Sequence, residues 1–509
     1  MRVFERHGWV LPAAVLVVAA ALRFFALDRP GTLVFDELYY VRDAISQLAH
    51  GFPTSWPDSE PGMSGGRATA FLDDPSYAVH PPLGKWLIGI GVLAFGPDNG
   101  WGWRSASALF GALTVALVMR LGWHLSKSLI VASIAGLLLA LDGVHVTLSR
   151  VGLLDGFLTF FVLLGALFVW KGLVASGRIV ASAAGPDGRP AAAHPGEPPP
   201  APIRIPITWG RPWLVAAALT FGAAASVKWS GLYPLAAFLI LIALRDLASR
   251  LRAHERFAVL RSLAQAGVTA VLTLPLTVLV YAASWVGWIV TPGGWGRDPA
   301  VPWWSSLLKY HADMLSWHGT LDAPHPYQSN PLTWPLALRP TAMYETRWTD
   351  GCPWHECVAA VTPLPNPILT WGGALAICAL AWFAARASST GSISLPTRAA
   401  TFVVVGFLSG WLPWVLTFSR PAVFQFYAVV LTPFTALALA LVFARLCRFG
   451  ETEPGLEALS RDELGSRRAA LGVFLTIALA LALWFFPLWS GMPVTDWFFR
   501  LHVWLPGWD

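Results

Sequence analysis

The chain has 509 residues, 55% of them hydrophobic and only 13% charged, with a net charge of +6 from 35 basic and 29 acidic side chains. Soluble domains carry roughly 25% charged residues, so a chain with about half that share, gathered into long apolar runs, belongs in a bilayer. The positive charge does not signal nucleic acid: no basic stripe with interleaved aromatics is present, and the arginines cluster in short stretches between apolar segments. The 28 Trp residues fit a protein with much of its surface at a membrane–water boundary.

Eleven runs read as spanning helices: 9–27, 101–121, 129–147, 151–173, 212–227, 229–245, 265–289, 367–386, 399–417, 422–445 and 468–488. The first follows a basic "MRVFER", as a signal peptide would. Its apolar stretch is too long, however, and no small-x-small site precedes the acids beyond it, so a retained helix is expected. With the N-terminus inside, alternate loops hold most of the bases, including Arg245, Arg250, Arg252, Arg256 and Arg261 in one and Arg445, Arg448, Arg461, Arg467 and Arg468 in another. The positive-inside rule then places the N-terminus in the cytoplasm and the C-terminal tail outside. The expected architecture is an all-α polytopic membrane protein of about eleven transmembrane helices. A core over 1–445 precedes a last helix and outer tail over 446–509. Two long outer loops, 28–100 and 290–366, are rich in Trp, Pro, His and Tyr, whereas 183–206 is low-complexity and reads as a flexible cytoplasmic linker.

The first outer loop opens with "TLVFDELYY", which places Asp36 and Glu37 together just beyond the first apolar run. Leu38, Val41, Ile45 and Leu48 follow at helical spacing and predict a short amphipathic helix on the outer membrane surface, with Asp36 at or near its N-cap. In "DDPSYAVHPPLGKW", His80 and Lys85 lie on the same side, with Pro81 and Pro82 starting a second surface helix. "SRVGLLDG" puts Arg150 and Asp155 at the outer mouth of a helix, and "SVKWSG" buries Lys228 between apolar stretches, where a lysine is expensive. "FSRPAVFQFYAV" sets Arg420 in a short outer loop. A carboxylate pair, a histidine and several cations at one membrane face suit transfer from an anionic lipid to a hydroxyl: a carboxylate takes the acceptor's proton, and fixed cations stabilise the phosphate that leaves.

Of the four cysteines, Cys352 and Cys357 bracket "CPWHEC" in the second outer loop. Zinc would want more ligands than these two and His355. A disulfide is expected if the loop faces an oxidising compartment.

Seven motifs in order, "FDE", "HPPLGKW", "SRVGLLDG", "GAAASVKWSGLY", "HPYQSNPLTWPLALRP", "LPNPILTWGG" and "GWLPWVLTFSRPAVFQFYAVVLTPF", run from about residue 35 to 435 and resemble those of the bacterial protein O-mannosyltransferases. The resemblance implies a GT-C glycosyltransferase fold, a polyprenyl-phosphate-mannose donor, and Ser/Thr acceptors on secreted proteins emerging near the Sec translocon. Eukaryotic relatives carry a β-trefoil MIR domain in the late loop, for which 290–366 is too short. Carried over by motif, Asp36 matches the proposed base and Glu37 its partner in substrate positioning. His80 and Lys85 match an element on the donor side, and Arg150 an arginine needed for activity or assembly. Arg420 matches an arginine placed to clamp the phosphate, with Lys228 as its helper. His325, Tyr327 and Gln328 fall in a substrate loop, Gln328 standing where close relatives often have an acid.

The expected reaction is a single displacement with inversion at the outer face of the cell membrane. No cofactor is required for it; a divalent metal at the Asp36–Glu37 pair stays open but is not indicated. Two other functions stay open on residues alone: a GT-C enzyme glycosylating a lipid or cell-wall glycan, and a lipid flippase or transporter.

Overall fold

Each of the eleven apolar runs is helical in the computed structural model, which describes residues 8–57, 67–184, 204–322, 324–389, 394–417, 422–450 and 459–508. The helices are α1 (Val10–Phe24), α2 (Glu37–His50), α3 (Leu83–Phe95), α4 (Gly100–Ser126), α5 (Leu129–Ala140), α6 (Gly143–Leu148), α7 (Asp155–Ala184), α8 (Pro212–Val227) and α9 (Leu232–Arg252). They continue as α10 (Ala258–Ser284), α11 (Val286–Val290), α12 (Trp303–Thr320), α13 (Pro367–Ser389), α14 (Leu395–Leu416), α15 (Thr432–Cys447), α16 (Arg461–Ser490) and α17 (Asp496–Arg500). Among the described residues, eight are long and apolar enough to cross a bilayer: α4, α7, α10, α13, α14 and α16, and α9 and α15, each with the 3-10 turn ahead of it. The chain is a multi-pass membrane protein. Of the predicted linker, 185–203 lie outside the described residues.

Three of the predicted spans are shorter helices, α1, α5 and α8, of 15, 12 and 16 residues. The run at 129–147 is not one helix. Asp142 interrupts it, accepting a hydrogen bond from His145 N at 2.8 Å and capping the separate α6. A short side chain that competes for backbone N–H groups breaks the helix even within an apolar run.

The predicted surface helices are present as α2 and α3, packed on one another. Val41, Ala44 and Ile45 form the buried face of α2, whereas Leu38, expected on it, is exposed. The loop at 290–366 contributes α12 and most of a feature not expected of an all-α chain, a three-stranded antiparallel sheet. Strand β1 (Tyr344–Trp348) pairs with β2 (Cys357–Val361), and β2 with β3 (Val494–Thr495). Strand β2 is buried along its whole length. Thr362 N donates to Leu488 O at 2.9 Å and Trp489 Nε1 to Leu364 O at 2.9 Å, which fasten the end of this strand to α16. The C-terminal segment, read from the sequence as a separate unit, is thus joined to the 290–366 loop through β3 and these bonds.

Candidate active site

The chain breaks between α8 and α9 at Lys228, whose backbone is extended (φ −148°, ψ 142°). Gly231 permits the tight approach that follows: a Cβ there would lie 2.5 Å from the carbonyl carbon of Ala224. The break aims the Lys228 ammonium at the first turn of α7, where Nζ meets Asp155 Oδ2 at 2.7 Å. Both side chains are nearly fully buried.

This pair stands in the wall of a cavity of about 280 Å³, near the small end of the roughly 300–1,000 Å³ usual for ligand pockets. His80, His318, Trp229, Trp414 and Tyr427 add polar and aromatic surface, while Leu158, Val162, Pro234 and Val430 make the rest apolar. The two predicted outer loops meet here, since His80 belongs to the first and His318 to the second, their rings 5.3 Å apart. Tyr310 joins the same loops through bonds with both the N–H and the carbonyl of Ala78.

Asp36 sits half-buried behind this wall, coupled electrostatically to both Lys228 and Asp155 and hydrogen-bonded by Tyr40. It occupies the N-cap position of α2, yet its side chain makes no capping bond. Removal from water pushes its carboxyl up to about 6, with Asp155 adding to the rise and Lys228 and Tyr40 opposing it. The residue before it, Phe35, has a φ of 47°, an unusual conformation for a bulky side chain and one that costs roughly 1–3 kcal/mol. The Phe35 ring is held by Phe424, Phe426 and His325 at 5.5–6.2 Å.

Glu37, paired with Asp36 in sequence, points elsewhere. It is fully buried, and its two oxygens accept from Arg104 Nε and Nη2, both at 2.8 Å. They also accept from Val34 N at 2.9 Å and Gly152 N at 2.6 Å. Those contacts use both oxygens to hold α2 against α4 and the segment just before α7. Lys85 likewise faces Asp43, at 3.3 Å, and donates to His80 O at 3.1 Å, so it supports His80 from behind the cavity wall. Arg150 donates to the carbonyls of Leu22, Arg23, Phe25 and Ala26 at 2.8–3.1 Å. It caps the C-terminus of α1, whose last carbonyls have no helical partner.

His325 reaches the site through Phe35 and through Phe424, 5.0 Å away. Gln328 pairs with Phe424 as an isolated bridge and Ser329 N donates to Val423 O at 3.0 Å, while Tyr327 N donates to His325 Nδ1 at 3.2 Å. This loop therefore braces the segment that leads into α15. Arg420 lies outside the described residues. Cys352 and Cys357 form a disulfide that closes the β1–β2 turn, in a different part of the 290–366 loop.

Sequence reasoning placed Asp155 at a helix mouth but did not pair it with Lys228, and it missed Tyr40, His318, Tyr427 and Arg104. Tyr40 had a signal: it lies four residues after Asp36, on the same helix face. Arg104 had one too, as an arginine inside an apolar run.

The fold is that of the GT-C class of membrane glycosyltransferases. The S. cerevisiae protein O-mannosyltransferase Pmt1–Pmt2 complex, solved bound to the sugar donor, shares the fold with a TM-score of 0.72 over 98% of this chain and 92% of that chain, at 15% identity. ArnT from Cupriavidus metallidurans, solved with undecaprenyl phosphate, aligns at 0.50 over 94% of this chain and 69% of that chain, at 17% identity. The family described as Dolichyl-phosphate-mannose-protein mannosyltransferase matches residues 13–179, and the C-terminal four TMM region of protein-O-mannosyltransferase matches 303–508. The polyprenol-phosphate-mannose–protein mannosyltransferase of Mycobacterium tuberculosis is 32% identical over 99% of this chain and 92% of its own length. That of Mycolicibacterium smegmatis is 30% identical over 99% and 93%. The chain belongs to the polyprenol-phosphate-mannose–protein mannosyltransferase family.

Proposed function

We propose that this chain transfers mannose from a polyprenyl-phosphate carrier to Ser or Thr hydroxyls of polypeptides, at the extracytoplasmic face of the cytoplasmic membrane. The observation that carries the mechanism is the Asp36 carboxyl, raised by burial to about 6 and coupled electrostatically to the Lys228–Asp155 pair, which itself lines the cavity. A general base works best with a pKa close to the operating pH. In the proposed step the acceptor oxygen bonds to the anomeric carbon as the bond from that carbon to the phosphate oxygen breaks. The hydroxyl proton passes to Asp36, and the lipid phosphate leaves with the electron pair. Attack opposite the leaving group inverts the anomeric centre.

Lys228 is assigned the phosphate charge, with Arg420 as its expected companion, and the step needs no divalent ion. The apolar wall suits the first isoprene units of a donor that stays in the bilayer. For the outer face, support comes from the basic loops on the opposite side and from the Cys352–Cys357 disulfide, which belongs to an oxidising compartment. Delivery of acceptors near the Sec translocon belongs to the same proposal. Purified protein, given mannosyl-phosphoryl-polyprenol and a Ser/Thr/Pro-rich peptide, is expected to mannosylate the peptide. Transfer to a lipid or glycan acceptor with none to peptide would reject the assignment.

A further inference from the structure

A second cavity, of about 190 Å³, opens between helix ends far from Lys228. Leu125 near the end of α4, Leu380 of α13, Leu395 at the start of α14, and Leu441 and Val442 of α15 give it an apolar lining. Its place follows from the helices it shares with the first cavity. Pro396 and Thr417, at the two ends of α14, line this cavity and the Lys228 cavity respectively. On α15 the same holds for Arg445, near its end, and Val430, just ahead of its start. From Pro396 to Thr417 a helix rises roughly 30 Å, close to the ~30 Å of a hydrocarbon core. The two cavities therefore lie at opposite membrane boundaries. On the orientation proposed above, the second belongs to the cytoplasmic leaflet.

The rim is built from cations laid on aromatic rings. Trp382, Phe383 and Phe449 all line the cavity, and each ring carries a guanidinium. Arg386 lies over Trp382 at 5.5 Å, Arg445 over Phe383 at 4.2 Å and Arg468 over Phe449 at 5.0 Å. Phe449 is brought there by a left-handed turn at Arg448 (φ 56°), after which Phe449 N donates to Ala444 O at 2.9 Å. A cation–π contact orders a guanidinium without consuming its N–H fork, so the stacking sets three arginines at the mouth of an apolar slot. The described acids nearest to Arg468 in sequence, Asp462 and Glu463, start α16, and Glu463 is engaged by Ser460 in a capping box. Trp382 and Leu446, which also line the cavity, are exposed on the spanning helices α13 and α15, so the slot opens toward lipid.

We infer that this slot binds an anionic phospholipid, with one acyl chain entering between α13, α14 and α15 and the headgroup phosphate held by Arg445, flanked by Arg386 and Arg468. Three features select that occupant. A volume of about 190 Å³ is below the roughly 300–1,000 Å³ usual for whole small molecules, so the cavity takes a stretch of chain. The guanidiniums match a phosphodiester in charge and geometry. Basic pockets between spanning helices on the cytoplasmic side are where anionic headgroups bind. A zwitterionic lipid offers the same chain but brings its own cation to the rim. None of the residues lining this slot also lines the Lys228 cavity, so the inference stands apart from mannose transfer.

The test is native mass spectrometry of the full chain released from nanodiscs of equal parts phosphatidylglycerol and phosphatidylcholine. The wild-type chain is expected to retain phosphatidylglycerol several-fold over phosphatidylcholine. Arg445→Gln should weaken that preference, and the triple variant Arg386→Gln/Arg445→Gln/Arg468→Gln should erase it. Ala379→Trp, which fills the slot and leaves every arginine in place, should lose the retained phosphatidylglycerol as fully. Leu441→Trp replaces Ala379→Trp, and Arg445→Gln stands for the triple variant, if either does not elute as the parent does. No preference in the wild-type chain would overturn the inference. A preference that survives the slot-filling variant would also overturn it, because surface charge alone would then attract the lipid. Displacement of phosphatidylglycerol by an equimolar polyprenyl phosphate would assign the slot to that carrier instead.

Discussion

Lys228 Nζ lies 2.7 Å from Asp155 Oδ2, and this one ion pair ties the break between α8 and α9 to the first turn of α7. Removing one partner of a buried pair leaves an uncompensated charge and costs roughly 3–5 kcal/mol, whereas replacing both can be nearly neutral. Lys228→Met is therefore expected to lower thermal stability and to abolish donor use. Adding Asp155→Leu should restore most of the stability and none of the transfer. Recovery of transfer in the double variant would show that the pair is only structural. Thermal melts and single-turnover transfer measure the two effects separately.

Glu37 and Arg104 are both fully buried and joined by two bonds of 2.8 Å. Glu37→Ala is expected to destabilise the protein by roughly 3–5 kcal/mol, read as a large drop in melting temperature. Any loss of activity should track the loss of folded protein. A variant that melts like wild type but transfers no mannose would instead put Glu37 in contact with substrate.

Arg150 spends its guanidinium on four carbonyls around the end of α1. Arg150→Ala should free them and destabilise the packing of α1, with turnover per folded molecule kept within a few-fold. Arg150→Lys should restore only part of the stability, because an ammonium cannot reproduce the planar fork. Unchanged melting with lost donor affinity would contradict this placement and favour a direct part in substrate binding.

The Asp36 carboxyl is raised to about 6, so its ionised, proton-accepting form is scarce at pH 5 and dominant above 7. Transfer efficiency in the free enzyme is expected to rise with pH through about 6 and then level off. The Tyr40 hydrogen bond favours the charged carboxylate, so Tyr40→Phe should move this limb to higher pH. A limb that stays in place, or moves lower, would separate Tyr40 from the titrating group.

Much of the fold could be read from hydropathy because apolar runs as long as a bilayer is thick have few alternatives. The exceptions have local causes. Asp142 splits the run at 129–147 by capping a new helix. The hairpin at 344–361 is too short for a helix-length pattern to register, and its third strand comes from Val494–Thr495, more than a hundred residues away.

Of the residues singled out in the sequence, the structure gathers His80 and Lys228 at one cavity and couples Asp36 to Lys228. Adjacency in sequence did not carry over to adjacency in space. Glu37 follows Asp36 directly, yet one step along a helix turns a side chain by about 100°, enough to send it to Arg104. Lys85 and Arg150 lie near the cavity but satisfy an acid and a helix end behind its wall. Nothing in the sequence ties His318 to His80, because their approach depends on how α12 lies over the helix ends.

The most direct measurement is mannose transfer by purified Asp36→Asn, an isosteric change that removes the base and keeps the side-chain volume. A general base contributes roughly 10²–10⁴-fold. Turnover is therefore expected to fall by at least about 10²-fold, with wild-type melting temperature and donor affinity. Turnover within a few-fold of wild type in that variant would contradict the central claim that Asp36 takes the acceptor's proton.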